Sequence, residues 1–180
     1  GSNANSMFAH SAYISTDARN VVSRGNIVIK CPDGLMQRAG GVYSRNISVS
    51  TVIGGNVGQA WGVTPVPGGV EAQVIENLAL NASGGSFFLG NTRTGVVREN
   101  LLLRDANGSQ VCNIVLVSRN QTSTGTNIGV HDTDFVRNVV SGSMSWNPSD
   151  TASYSQLEFV DNRTAVGVTP TGIAAYLSSV

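Results

Sequence analysis

Charge is scarce in this chain. Eleven basic and eleven acidic side chains among 180 residues leave it 12% charged, with no net charge. That balance excludes a basic nucleic-acid footprint and a polybasic membrane patch, so no nucleic-acid partner is expected. Cysteine is rarer still: Cys31 and Cys112 lie far apart, outside any metal-ligand spacing, and read as two buried thiols or as one disulfide. No apolar run approaches the roughly 20 residues that span a bilayer, and no signal peptide is visible, so membrane insertion is not expected. Helical signals are nearly missing, because Gly, Asn, Ser, Thr and Val interrupt every window in which a 3.6-residue apolar period could arise; only Gly172 to Leu177 could make a turn or two. A Gly-rich phosphate loop, a nucleophile elbow, a His/Cys metal cluster and a Ser/His/Asp set are all absent, and neither metal nor cofactor is expected.

Polar surface is instead supplied by Asn, Ser, Thr and Gly, the composition of a secreted or virion-borne β protein. A length of 180 residues suits one domain that buries roughly two-thirds of its unfolded surface. The Asn-x-Ser/Thr triplets at Asn46, Asn81, Asn107, Asn120 and Asn162 are expected by chance in such a chain and carry little weight. Short β-rich runs bounded by turn residues fill the rest: Ile27 to Lys30, Ile47 to Ile53, Val74 to Leu80, Ser86 to Leu89, Val96 to Leu103, Val111 to Val117, Asp134 to Val140 and Leu157 to Val160. The fold class is all-β.

One short phrase organises the chain. At Arg98-Glu99-Asn100-Leu101-Leu102-Leu103 a charged residue precedes an asparagine, and apolar residues follow one and three positions on. The phrase returns at Arg45-Asn46-Ile47-Ser48-Val49, Glu76-Asn77-Leu78-Ala79-Leu80, Arg137-Asn138-Val139-Val140 and Asp161-Asn162-Arg163-Thr164-Ala165-Val166. Looser copies start at Arg19-Asn20, Gly25-Asn26 and Cys112-Asn113. Asparagines at 26, 46, 77, 100, 138 and 162 are separated by 20, 31, 23, 38 and 24 residues, a solenoid period with insertions, and Asn113 falls inside the longest gap. In an uninterrupted strand the residue before each asparagine would share a face with the apolar ones, burying Glu76, Glu99, Arg137 and Asp161 in the core. The conflict vanishes if the asparagine itself adopts the left-handed conformation and bends the chain, turning the charge outward.

Val96-Val97-Arg98-Glu99-Asn100-Leu101-Leu102-Leu103 and its copies resemble rungs of the right-handed parallel β-helix, the pectin-lyase-like fold, in which asparagines stack at a bend between strands of successive coils. The resemblance covers roughly Val21 to Val166, about six or seven coils. It implies a tag or linker tail over 1–15, a β-helix domain over 16–166, and a closing segment or oligomer contact over 167–180. Terminal coils expose unpaired backbone groups, and no capping helix is evident near the start. Virion tailspikes, similar in composition and fold, trimerise, so a homotrimer on the virion surface or outside the cell is implied. The function implied is binding, and by extension depolymerising, a host surface polysaccharide. A non-enzymatic stalk, cap or adhesin module is an alternative, and a β-sandwich or jelly-roll capsid or pilus-type subunit is another, since short strands with Gly-rich turns suit both. The paired aspartates, His and Arg-x-Lys of polygalacturonases are unmatched, which puts that activity in doubt.

Candidate site residues follow from the stacking. Coils ~4.8 Å apart would align Arg45, Glu76, Glu99, Arg137 and Asp161 in an outward stripe, with Cys112 intervening if its stretch forms a coil. Such a stripe is either a surface ion-pair ladder or a catalytic device. Glu76 and Glu99 would be like-charged neighbours, one of them held protonated, as a retaining glycosidase requires. His131-Asp132-Thr133-Asp134 follows a Gly/Thr-rich stretch and could do acid–base work or bind a cation through the oxygens of Asp132 and Asp134, against the simpler reading of a solvated turn with a strand cap. Saccharide recognition needs aromatic faces and guanidinium groups. Trp61, in the insertion Gly54 to Gly69, and Trp146 with Tyr154, in the loop Ser141 to Ser155, are the aromatic candidates, and Arg137 is the basic one. His10 stands in the tail and receives no role.

Overall fold

The computed structural model describes residues 10–58, 64–104, 114–117, 128–141, 145–146 and 154–164. Each turn of the chain lays down three strands. The first rung holds β1 (His10–Ile14), β2 (Val22–Arg24) and β3 (Ile27–Ile29), and the second β4 (Asp33–Gln37), β5 (Gly41–Ser44) and β6 (Ile47–Val49). The third comprises β7 (Ile53–Val57), β8 (Val70–Ile75) and β9 (Leu78–Leu80), and the fourth β10 (Phe87–Gly90), β11 (Thr92–Arg98) and β12 (Leu101–Leu103). The fifth has β13 (Ile114–Val117), β14 (Val130–Val136) and β15 (Val139–Val140), and the sixth β16 (Ser145–Trp146), β17 (Tyr154–Val160) and β18 (Arg163–Thr164). Every third strand pairs with the last, giving three six-stranded sheets: A begins at β1, B at β2 and C at β3. All described pairings are parallel, which an antiparallel sandwich or jelly roll would not produce. Stacked parallel sheets in this order are compatible with a parallel β-helix.

The asparagines explain the stacking. Asn26, Asn46, Asn77, Asn100, Asn138 and Asn162 form one ladder at the corner between sheets B and C. In it the Nδ2 of each donates to the Oδ1 of the next over 2.8–3.2 Å. The same Oδ1 accepts the backbone N–H of the asparagine one rung earlier. From Asn46 onward, the second Nδ2 proton goes to a carbonyl three residues before the previous asparagine: Ser23, Tyr43, Val74, Val97 and Phe135 in turn. An inner amide therefore uses two donors and two acceptor sites, which makes burial tolerable. Asn100 and Asn138 are essentially inaccessible to solvent.

Two expectations need correction. The bend residue is the one before the asparagine: Gly25, Arg45, Glu76, Glu99, Arg137 and Asp161 all have φ between 50° and 68°. The left-handed conformation costs a non-glycine residue roughly 1 kcal/mol or more, and the ladder hydrogen bonds offset it while the charge projects outward. Asn20, by contrast, lies at the corner between sheets A and B, outside the ladder. The 38-residue gap is one rung, because β12 pairs directly with β15 and no coil containing Cys112 separates Glu99 from Arg137. Cys112 itself lies outside the described residues. Cys31 is half-buried against the core.

Sheet B alternates buried and exposed positions, as in Val70–Ile75, whereas sheet A is buried at every position of β4, β7 and β10. Runs predicted as single strands, such as Val74 to Leu80 and Val96 to Leu103, break at the ladder corner into a sheet B strand and a sheet C strand. The interior is filled by Leu35, Val57 and Leu89 from sheet A, Val74, Val97 and Phe135 from B, and Val28, Ala79 and Leu102 from C. Strand β7 occupies the start of the stretch expected to be an insertion, Gly54 to Gly69. Strand β1 lies inside residues 1–15, the stretch assigned to a tail. Segment 167–180, with the turn expected over Gly172 to Leu177, lies outside the described residues.

Replacing Asn100 with alanine removes four side-chain hydrogen bonds, taking that partner from the buried Asn77 N–H, Asn77 Nδ2 and Val74 O, while Asn138 Oδ1 keeps the Asn100 backbone N–H. Chemical unfolding of Asn100→Ala is expected to show a loss of about 3–5 kcal/mol. Asn26→Ala, at the half-exposed end of the ladder, should lose about 1 kcal/mol. Equal losses at the two positions would refute the ladder as the source of stability.

Candidate functional site

The left-handed charged residues form the stripe at the corner between sheets B and C. Glu76 and Glu99 occupy equivalent positions on successive rungs, since Leu78 pairs with Leu101. Each carboxylate is nevertheless engaged by arginine. Arg45 Nε lies 2.6 Å from Glu76 Oε2, and Glu99 is held by Arg98 at 2.6 Å and by Arg137 through its Nε and Nη2. The Arg137 hydrogen bond is the largest influence holding the Glu99 carboxyl below its ordinary range, the reverse of the shift expected from a like-charged neighbour. Such exposed pairs contribute under ~1 kcal/mol each. Arg137, Val139, Asp161 and Arg163 line a depression of about 320 Å³ at the far end of the stripe.

The other predicted residues do not converge on that stripe. Asp132 is exposed, with φ of 40°, near the start of β14; Asp134 is exposed on the outer face of sheet B. Asp134 is in register with Glu158, an acid that received no role in the sequence pattern. Tyr154 opens β17 instead of lying in a loop, and its hydroxyl donates to Leu116 O at 3.2 Å, tying the ring to the interior. Trp146 lies on β16, paired with Leu116, and not in a loop. Trp61 lies outside the described residues.

The corner between sheets A and B was overlooked, and it is open. A cleft of about 520 Å³ runs across the first four rungs, with Arg19, Glu71 and Arg93 among its walls and Gly40, Gly41 and Gly69 on its floor. Arg93 Nη2 meets Glu71 Oε1 at 2.6 Å, while Arg19 Nη1 folds back onto the carbonyls of Asp17 and Ala18 at 2.9 Å. Gly41 has φ of 95°, and a Cβ there would collide with Val21 O, so no side chain can stand at that position. The recurrence of Asn20, Gly41, Gly69, Asn91 and Gly129, all with positive φ, is a second rung-length pattern that could have revealed this corner.

The same corner continues to His131 and Ser155. Thr92, Val130 and Tyr154 are in register on β11, β14 and β17, so the residues that follow them, Arg93, His131 and Ser155, succeed one another up the stack. His131 Nδ1 lies 2.7 Å from Ser155 Oγ, and its Nε2 contacts Ile128 O. A carbonyl oxygen only accepts, so Nε2 carries the proton and the Ser155 hydroxyl donates to Nδ1.

A titratable cluster sits at the start of sheet A, where His10 pairs with Asp33 instead of belonging to a tail. His10 Nδ1 lies 2.9 Å from Asp33 Oδ2, though neither Asp33 oxygen has a well-directed hydrogen bond. Arg38 lies 4.9 Å over the Tyr13 ring. Burial pushes the Asp33 carboxyl up from 3.8 to about 7 and, with Arg38 adding to it, pushes His10 down. Both groups move toward their neutral forms, so desolvation outweighs their mutual attraction. Among the described residues, no group of three or more His, Cys, Asp or Glu is placed to hold a metal ion.

No protein-family model, curated protein or solved structure matches the chain. Fold and site together define an all-β protein of stacked parallel sheets, with a closed, charged corner and an open, glycine-floored one.

A carboxyl raised on folding contributes stability that is present at low pH and lost as pH rises through the folded value, here about 7. Asp33→Asn should therefore match the native chain at pH 4, where both are uncharged at this position, and exceed it at pH 8.5. The expected gain is about 2 kcal/mol, half of the roughly 4 kcal/mol that the full shift implies. The His10 contribution runs the other way, since its lowered value costs stability as pH falls. Thermal melts at the two pH values test this, and an Asp33→Asn protein less stable than the native chain at pH 8.5 would contradict it.

Proposed function

We propose that this chain is a right-handed parallel β-helix domain of the virion tailspike type that binds a cell-surface polysaccharide outside the cell. The observation that carries the reading is the open corner, where a cleft of about 520 Å³ crosses successive rungs above Gly40, Gly41 and Gly69, with Arg93 and Glu71 at its wall. The volume suits a small-molecule or sugar-ring site. Rungs at ~4.8 Å intervals offer hydrogen-bonding groups repeated along one direction, as an extended polymer requires. Arginine and carboxylate side chains beside peptide groups provide donors and acceptors for hydroxyls.

Binding is favoured over depolymerisation by the state of the stripe. A retaining glycosidase needs one carboxyl protonated, and Arg98 and Arg137 hold Glu99 ionised. Self-association is part of the proposal. The outward side of sheet C presents Ile27, Ile47, Leu78, Leu101 and Val139 in register, an aliphatic column suited to copies of the chain in a homotrimer. The continuous asparagine ladder also suits a non-enzymatic stalk, which would need no ligand at the open corner.

Titration calorimetry against a panel of capsular and lipopolysaccharide glycans separates these readings. Arg93→Ala is expected to weaken binding about tenfold or more, while Glu99→Gln leaves it unchanged. Failure of the native chain to bind any glycan, or equal affinity in the Arg93→Ala protein, would favour the stalk.

A further inference from the structure

We propose that Ser155 and His131 form a nucleophile–base pair that hydrolyses short-chain carboxylic esters, acting on an acyl group carried by the glycan in the corner cleft. The glycan part of this assignment rests on the binding reading above; the ester chemistry does not. Three observations converge on it. The Ser155 hydroxyl is exposed and lies 2.7 Å from His131 Nδ1, within the range for proton transfer. Ile128 O holds Nε2–H, which fixes the tautomer and ring orientation in the manner of the third member of a catalytic triad. The pair also continues the row that Arg93 begins at the cleft, one rung beyond it.

The backbone supplies the electrophilic partner. His131 pairs with Ser155 and Thr133 with Leu157, so the ladder passes over Asp132 and Gln156, whose φ values are 40° and 54°. Gln156 N–H directly follows the nucleophile, at a left-handed position that the pairing passes over. It is the donor assigned to the developing oxyanion.

The reaction balances without a co-reactant other than water. Ser155 Oγ attacks the acyl carbonyl carbon as its proton passes to His131 Nδ1. The bond from that carbon to the alcohol oxygen breaks, and the alcohol leaves with the Nδ1 proton. Water then attacks the acyl-serine ester, gives one proton to Nδ1, and Ser155 Oγ departs with it. The products are a carboxylic acid and an alcohol, with no change of oxidation state.

The test uses the full chain, with p-nitrophenyl acetate as the substrate and a fluorophosphonate as the covalent probe. The native protein should release p-nitrophenolate well above the buffer rate, and peptide mapping should place the phosphonate on Ser155. Ser155→Ala and His131→Asn should each lower the rate about 100-fold or more, with thermal melting confirming that both variants fold. Label on another residue, or a Ser155→Ala rate equal to the native rate, would overturn the pair. Acetate release from an O-acetylated polysaccharide, lost in Arg93→Ala, would support the glycan assignment. Ester hydrolysis with no such release would remove the glycan as substrate while leaving the pair intact.

Discussion

A buried side-chain amide must use two donors and its acceptor oxygen or lose several kcal/mol, and in this chain the groups that satisfy it belong to neighbouring rungs. Asn77, for example, gives its Nδ2 protons to Asn100 Oδ1 and Tyr43 O, and its own oxygen receives the N–H and Nδ2 of Asn46. A slip of one residue in any rung would break several such bonds at once and turn every apolar side chain of that rung to the other face. Register in all three sheets thus depends on one column of amides. The strained conformation of Glu76 or Arg137 is a consequence, since the chain must reverse just before the amide enters the interior.

Sheets B and C were legible because each keeps one face toward solvent. Val70–Ile75 alternates buried and exposed residues, and the apolar residues at one and three positions after each asparagine mark sheet C. Sheet A offered no such pattern. Strands β4, β7 and β10 are buried on both faces; β10 and β13 were still legible as the apolar runs Ser86 to Leu89 and Val111 to Val117, whereas Asp33-Gly34-Leu35-Met36-Gln37 and Ile53-Gly54-Gly55-Asn56-Val57 are rich in glycine and polar residues and gave no strand signal. The glycines answer to packing: a Cβ on Gly54 would collide with Ser86 O in the next rung. Charge placement was legible in direction, outward at the corner, but the residue that bends was not, because composition suggests asparagine for the left-handed position.

The geometry of the open corner was hidden for a different reason. His131 and Ser155 are 24 residues apart, the same separation as Asn138 and Asn162, so the pair is written in the rung length and nowhere else. Glu71 and Arg93 are 22 apart while Asn77 and Asn100 are 23 apart; the register shift between Thr92 and Thr94 accounts for the extra residue. Motif searching compares residues close in sequence, whereas a stacked chain brings together residues one rung apart. Only after the ladder fixes the register can such pairs be read, and even then bulges move them by one.

The two corners that flank sheet B show why chemistry should gather at one of them. At the ladder corner every rung inserts an amide inward and, from the second rung on, projects a charged group outward, and the projected charges pair with one another, as Arg45 does with Glu76 and Arg137 with Glu99. A ligand there would have to displace existing ion pairs. At the opposite corner the left-handed positions of the second and third rungs are glycine, with no side chain to project, and a Cβ at Gly69 would collide with Ile128. A cleft lies between the neighbouring side chains, and the steric limits at these glycines forbid a side chain there. The same steric rule that lets the chain turn at this corner keeps side chains off it, beside the half-buried His131, and a binding or catalytic site needs such access.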